Sequence, residues 1–381
     1  RFWITQRAEA EAHLAWVNCA GDPVCIGALF PDGYSVPTAF QEWPAIGDVE
    51  AGQDLYLAPF FDYNDDGNYD PFSGDYPDYG FEQSVEDCKN KLREDPVPLF
   101  GDYNIFYIFN DKGDAHTETN GTPIGLEVRA QAFAFSANNE INNMTFYNYT
   151  VINWASQTLE NTYFGHFVDP DLGCADDDFA GCDVRRGLGY VYNWQDVDNG
   201  CNGAVGYGGP APPPPAIGVD FFEGPFQDSD GTDNPGPQSY QDIFDCQTAA
   251  DPAINGIPYK GIGIGYGDGV IDNERFGMRA YIYFNRSSPN NNITDPASAC
   301  QFYNYLQSIW KNGIPQSYGG NGYSEDPNAI RAYYMFPGDS DPVGWGTSCV
   351  PQPAWSETAP TPATPDRRFV QSAGPFTLEA G

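Results

Sequence analysis

Residues 62–79 read DYNDDGNYDPFSGDYPDY, and their spacing suits the binding of a hard cation. Asp62, Asn64 and Asp66 alternate, Gly67 follows, and Asp70 closes the run. In such a loop, oxygen side chains at the first, third and fifth positions converge on one ion. A glycine at the sixth makes the turn, and a backbone carbonyl, here that of Asn68, serves at the seventh. The twelfth position is Ser73 rather than the bidentate Glu of an EF-hand, so Asp70, Asp75 or a distant group must close the shell. The theme recurs in DPDLGCADDD (169–178), DSDGTDN (228–234) and GDGVIDNE (267–274). Candidate ligands there are Asp169, Asp171, Asp176 and Asp178, then Asp228, Asp230 and Asp233, then Asp268, Asp272 and Glu274. Calcium is the cofactor these loops imply. Asp, Asn and Gly are also ordinary turn residues, and that plainer reading competes at every loop.

The chain has 381 residues, with 17 basic against 53 acidic side chains and a net charge of −36. Such a surface argues against nucleic acid, whose phosphates need Lys and Arg, and against anionic membranes. It suits divalent cations, because clustered carboxylates without a cation repel one another. Calcium at about 100 times its dissociation constant would add about 2.7 kcal/mol per filled site. Acidity does not mean disorder here. Charged residues are only 18%, and the 15% that are aromatic can build a core. No apolar run is long enough to span a bilayer as a helix.

Nine cysteines occur, at Cys19, Cys25, Cys88, Cys174, Cys182, Cys201, Cys246, Cys300 and Cys349. None forms a CxxC pair, so disulfides in an oxidising compartment are expected rather than zinc. Cys19–Cys25 and Cys174–Cys182 are the short-loop candidates. Connectivity does not follow from sequence. Several plain buried thiols are the alternative, and an odd count leaves one cysteine free or paired elsewhere. The opening RFWITQR reads as an internal start, so the chain is expected to be a fragment of a longer secreted protein.

These loops need a scaffold. Ile4, Ala8, Ala12, Ala15 and Trp16 make a helical stripe over 4–17, and a second short helix is expected over 85–93. From residue 104 the period changes to two. Ile124, Leu126, Val128 and Ala130 share one face, and Glu127, Arg129 and Gln131 the other. The phase slips at 132–135, which a β-bulge or two-sided burial would explain. Met144, Phe146, Ile152 and Trp154 alternate again. A third helix is expected over 296–312, capped by Asp295, with Phe302, Leu306, Ile309 and Trp310 as its stripe and Gly313 at its end. The fold class is therefore mainly β: an antiparallel sandwich or jelly roll with long calcium-stabilised loops and a few short helices. The expected organisation is an N-terminal helix and calcium-loop region (1–100), a sandwich core (101–225), and a loop-rich extension with one helix packed on that core (226–381).

Several segments carry a family likeness in order. They include LAPFFDYNDDGNYDPFSGDYPDY (57–79), FNDKGDAHTETNGTPIGLEVRAQAFAF (109–135), NTYFGHFVDPDLGCADDDFAGCDVRRGLGYVYN (161–193), GYGDGVIDNERFGMR (265–279) and DRRFVQSAGPFTLEAG (366–381). With WPAIGD, PPAIGVDFFEGP and FPGDSDPVGWG, this set resembles the large secreted surface proteins of the Bacteroidota. The resemblance implies an extracellular or cell-surface location and export by the type IX route. It implies no reaction.

The only histidines are His13, His116 and His166, and no HExxH, GxSxG or Gly-rich phosphate loop occurs. The first expectation is a non-catalytic structural protein, a subunit of a surface layer, fibre or filament. Self-association or other surface proteins would be its partners. A glycan-binding adhesin is the second, since Tyr and Trp rings beside Asp and Asn suit sugars. A glycosidase-like carboxylate pair is the remaining enzymatic reading.

Overall fold

The computed structural model describes residues 1–78, 99–201, 203–208, 212–234, 264–357 and 366–381. The helix expected over 85–93, together with Cys88 and Cys246, lies outside them. The chain divides into two compact units. One comprises Arg1–Asp114, Pro123–Ala155 and Gly381, and the other Ala115–Thr122 and Ser156–Ala380. This division replaces boundaries at 100 and 225, because strand pairing joins segments that are distant in sequence.

In the first unit β1 (Trp3–Gln6) leads directly into α1 (Arg7–Asn18), followed by α2 (Pro23–Leu29) and α3 (Thr38–Gln41). A short pair, β2 (Phe60–Phe61) and β3 (Tyr76–Pro77), brackets the first acidic loop. β4 (Tyr103–Asn110), β5 (Leu126–Ala134) and β6 (Phe146–Asn153) complete an antiparallel sheet of order β1-β4-β5-β6. Pairing of Trp3–Gln6 with β4 shifts the expected helix. α1 begins at Arg7, where Gln6 and Glu9 form a reciprocal cap. It buries Ala10 and His13, not the stripe of Ala8 and Ala12. The phase slip on β5 is not a bulge. Its register is continuous from Leu126 to Phe133 against β6, and Ala130 is buried on one face while Gln131 and Phe133 are buried on the other. The core gathers Ala10, Phe40, Trp43, Ala45, Leu99 and Phe106.

The second unit stacks two three-stranded antiparallel sheets. One holds β8 (Asp178–Asp183), β9 (Leu188–Asn193) and β10 (Ala216–Asp220) in the order β10-β9-β8. The other places β12 (Arg367–Leu378) between β7 (Leu159–Val168) and β11 (Ala280–Asn285). Tyr281, Ile282, Phe369 and Val370 meet Ala180, Cys182 and Val191 in one core. The last helix, α4, spans Ala299–Tyr305 and is much shorter than 296–312. Its N-cap is Ser298, and Asp295 pairs with Arg368 instead. It ends because Ser308 takes φ 53°, while Ile309 N–H donates to Asn304 O at 2.9 Å and Ser308 N–H to Tyr305 O at 3.1 Å. That is a Schellman stop without its usual glycine. Trp310 is fully buried beyond the helix, in the turn that Gly313 closes.

Among the described residues, Cys19–Cys25 and Cys174–Cys201 are disulfides, and Cys349 is also disulfide-bonded. Cys174 therefore does not pair with Cys182. Cys182 lies on β8 with its Sγ 3.3 Å from Met335 O, in the core. No helix of the described residues is long and apolar enough to cross a membrane.

Candidate metal-binding loops and an open sheet face

The first loop hangs between β2 and β3, and its side chains fold inward on its own backbone. Asp62 accepts the N–H groups of Asp66 (3.2 Å) and Gly67 (2.7 Å). Asn64 Oδ1 accepts Asp66 N–H at 3.1 Å, and Asp66 Oδ1 accepts Asn68 N–H at 2.7 Å. Gly67 takes φ 75°, as the turn requires. Asp70 caps Phe72 N–H (3.0 Å) and the Ser73 hydroxyl (2.7 Å). Asp75 is 1% exposed and ties the loop base, accepting Tyr63 N–H at 2.9 Å and Asp70 N–H at 2.7 Å.

The electrostatics differ along this loop. Hydrogen bonds from the Asn68 N–H and the Asn64 amide hold Asp66 below the usual carboxylate range. Burial pushes Asp75 upward, and the charges of Asp62 and Asp66 add to that. Behind the loop, His13 Nδ1 meets the Tyr34 hydroxyl at 2.7 Å. Burial lowers its pKa, and backbone groups of Asp75 and Pro71 only partly oppose that. His13 is thus a neutral strut between α1 and the loop rather than a free acid or base.

The structure brings the segments 228–234 and 267–274 together. Asp272 Oδ1 accepts the N–H groups of Asp230 (2.7 Å) and Gly231 (2.9 Å). Asp233 accepts those of Gly267 and Gly269, each at 2.7 Å. Glu274 is 3% exposed and accepts Asn234 N–H, and Asp268 holds Val270 N–H (2.8 Å) and the Asn273 amide (2.9 Å). Asp228 stands apart, binding Thr377 at the end of β12 through its N–H and hydroxyl.

The segment 169–178 does not converge as one loop. Asp176 sits with the sulfurs of Cys174 and Cys201, which are joined to each other and offer no thiolate. Asp178 is 0% exposed, accepts Leu172 N–H at 3.0 Å, and leaves Oδ1 without a partner. Burial pushes it up to about 7, with Asp177 and Asp198 adding to the shift. Asp169 and Asp171 instead meet Asp366, which sequence reading did not single out. Their carboxylate oxygens lie within 4.8 Å of one another.

Sequence reading also missed a surface. Strand register puts Ile4, Ile105, Tyr107, Phe109, Leu126, Val128, Ala130, Ala132, Tyr147, Tyr149 and Val151 on the face of the first sheet opposite Phe106. Phe106 is 3% exposed, whereas Phe109 and Tyr147 are 49% and 58% exposed. Tyr107 and Phe109 stack with planes 17° apart, and Tyr147 and Tyr149 with planes 6° apart. On that face the β5 side chains themselves are half-buried or, at Ala130, fully buried, and the exposed rings come from β4 and β6. His166 is a packing residue on β7, with burial lowering its pKa, and Nδ1 3.3 Å from the Gln371 amide.

No family model matches the chain, and no curated protein or solved structure matches it.

Proposed function

We propose that this chain is a non-catalytic extracellular structural protein, a subunit of a surface layer, fibre or filament, held by disulfides and calcium. The observation that carries this reading is the open aromatic face of the β1-β4-β5-β6 sheet. Exposed aromatic rings grouped on one sheet face mark an interaction site. Its occupant is a second copy of the chain or another surface protein. The net charge of −36 opposes bare self-association, so a divalent cation in the acidic loops would aid assembly. Disulfides suit the oxidising exterior. The resemblance to Bacteroidota surface proteins supports the same location and export by the type IX route.

The test is sedimentation and negative-stain electron microscopy of the purified chain in millimolar calcium. Regular assemblies that Tyr147→Ser with Phe109→Ser disperses support the reading. A strict monomer with robust turnover of any substrate overturns it. The parallel Tyr147 and Tyr149 rings favour a second reading, a glycan-binding adhesin, because flat rings match the faces of sugars. Retention on a glycan array that the same variant abolishes would favour it.

A further inference from the structure

We infer that Asp169, Asp171 and Asp366 form a calcium site that fastens the start of β12 to the end of β7. The inference rests on the reading that the protein works in calcium, but not on the loop at 62–75.

Strand pairing builds the site. Phe369 pairs with Val168 in an antiparallel register. Carried past the strand ends, that register sets Asp169 opposite Arg368 and Asp171 opposite Asp366. The three carboxylates come within 4.8 Å of one another. Ligands facing each other across calcium stand about 4.6–5.2 Å apart, twice the usual calcium–oxygen distance. Magnesium would need a tighter octahedral shell. The donors are all oxygen, and no nitrogen or sulfur ligand is among them.

The second observation is an unmet acceptor. Asp366 is only 9% exposed, and its Oδ1 is buried with no hydrogen-bond partner. Its other oxygen meets Arg368 at 3.0 Å and Arg286 at 3.7 Å. Asp169 spends one oxygen on Arg368 Nε at 2.8 Å. The exposed Asp171 carboxylate has no ion pair among the described residues. Arg368 also bonds Asp295, so with Arg286 at Asp366 two guanidinium groups serve three carboxylates while a fourth stands beside them. Like charges held this close with a buried free oxygen call for another cation. Calcium supplies it and takes oxygens that the arginine leaves open.

The consequence is mechanical. β12 is the central strand of its sheet, and bound calcium would tie its first residues more firmly to the end of β7. The test uses the full chain with calcium chloride alone as probe. Three proteins are compared: wild type, Asp171→Asn and Asp66→Ala. Asp171 is exposed, so its variant should fold. Equilibrium dialysis counts bound calcium, and hydrogen exchange reads the peptides over 367–378. The expected result is that calcium slows exchange there in wild type and Asp66→Ala. In Asp171→Asn that slowing is lost, together with about one bound ion per chain. Equal protection in Asp171→Asn overturns this site alone. Absence of calcium binding in wild type overturns the site and the calcium reading together.

Discussion

The Gly189 N–H donates to Gln371 Oε1 at 3.1 Å, joining β9 of one sheet to β12 of the other. Gln371 is 0% exposed, and a Cβ on Gly189 would stand 2.7 Å from the Phe369 ring and 2.9 Å from that of Tyr281. Only a bare α-carbon allows the sheets this approach. Gly189→Ala should therefore destabilise the second unit by about 1–3 kcal/mol through overpacking. Urea denaturation followed by tryptophan fluorescence measures it, and an unchanged midpoint would show that the sheets yield freely.

Asp220 on β10 gives a pH signature. Burial pushes its pKa up to about 6, and the Asp183 charge adds to this against Arg186 and the Phe221 N–H. Its Oδ1 has no hydrogen-bond partner. A folded pKa above the unfolded value means the folded state holds the proton longer. The group's contribution is complete below about pH 4 and is lost as pH rises to about 6, with a plateau above. Two units correspond to about 3 kcal/mol, which partial solvent access reduces to about 1–2 kcal/mol. Asp220→Asn should remove this loss. Its stability relative to wild type should grow between pH 4 and 6 and then stay level. Parallel denaturation curves across that range would contradict the assignment.

The thiols should separate by accessibility. Cys300 is exposed and Cys182 is buried. Burial also raises the Cys182 pKa, which suppresses its thiolate. A thiol reagent should label Cys300 at once in native protein, and Cys182 only at the rate of unfolding. Reduction should destabilise the chain. Chain-entropy arguments give about 3–4 kcal/mol for the loop of 27 residues closed by Cys174–Cys201 and about 2 kcal/mol for that closed by Cys19–Cys25. Rapid labelling of Cys182 in the native state would place its sulfur outside the core.

Local patterns were legible in the sequence, and long-range ones were not. Period-two alternation located β5 and β6, because each strand carries its own record of two faces. It did not say which face of the sheet is covered. The first helix was started three residues too early because the pairing of Trp3–Gln6 with β4 is decided elsewhere in the chain. The last was drawn too long because Ser308 takes the left-handed stop without a glycine to announce it. The site shows the same divide. The residues of 62–75 are neighbours in sequence and in space. Asp366 reaches Asp169 and Asp171 only through the pairing of β7 with β12. Cys182 looked like a partner for Cys174 by spacing, yet β8 is buried on both faces and Cys182 packs in the core.

The loop at 62–75 gives the last prediction. Asp62, Asn64, Asp66 and Asp70, with the Asn68 carbonyl and Asp75, offer oxygen ligands without nitrogen or sulfur, which favours calcium over zinc. Asp66 already accepts the Asn68 N–H with Oδ1 and the Asn64 amide with Oδ2 at 3.0 Å, so the loop is folded around it. Asp75 is buried beside the negative charges of Asp62 and Asp66, which raise its pKa together with burial. A bound cation would reverse that repulsion and hold Asp75 ionised. Removing the Asp66 carboxylate takes away a ligand at the centre of the shell. Asp66→Ala should then melt below wild type in millimolar calcium, while the two melt nearly alike in excess chelator. The comparison within each protein matters most, since loss of the two hydrogen bonds alone would lower both melts equally. If calcium raises the melting temperature of Asp66→Ala as much as that of wild type, the loop is a turn and the ion lies elsewhere.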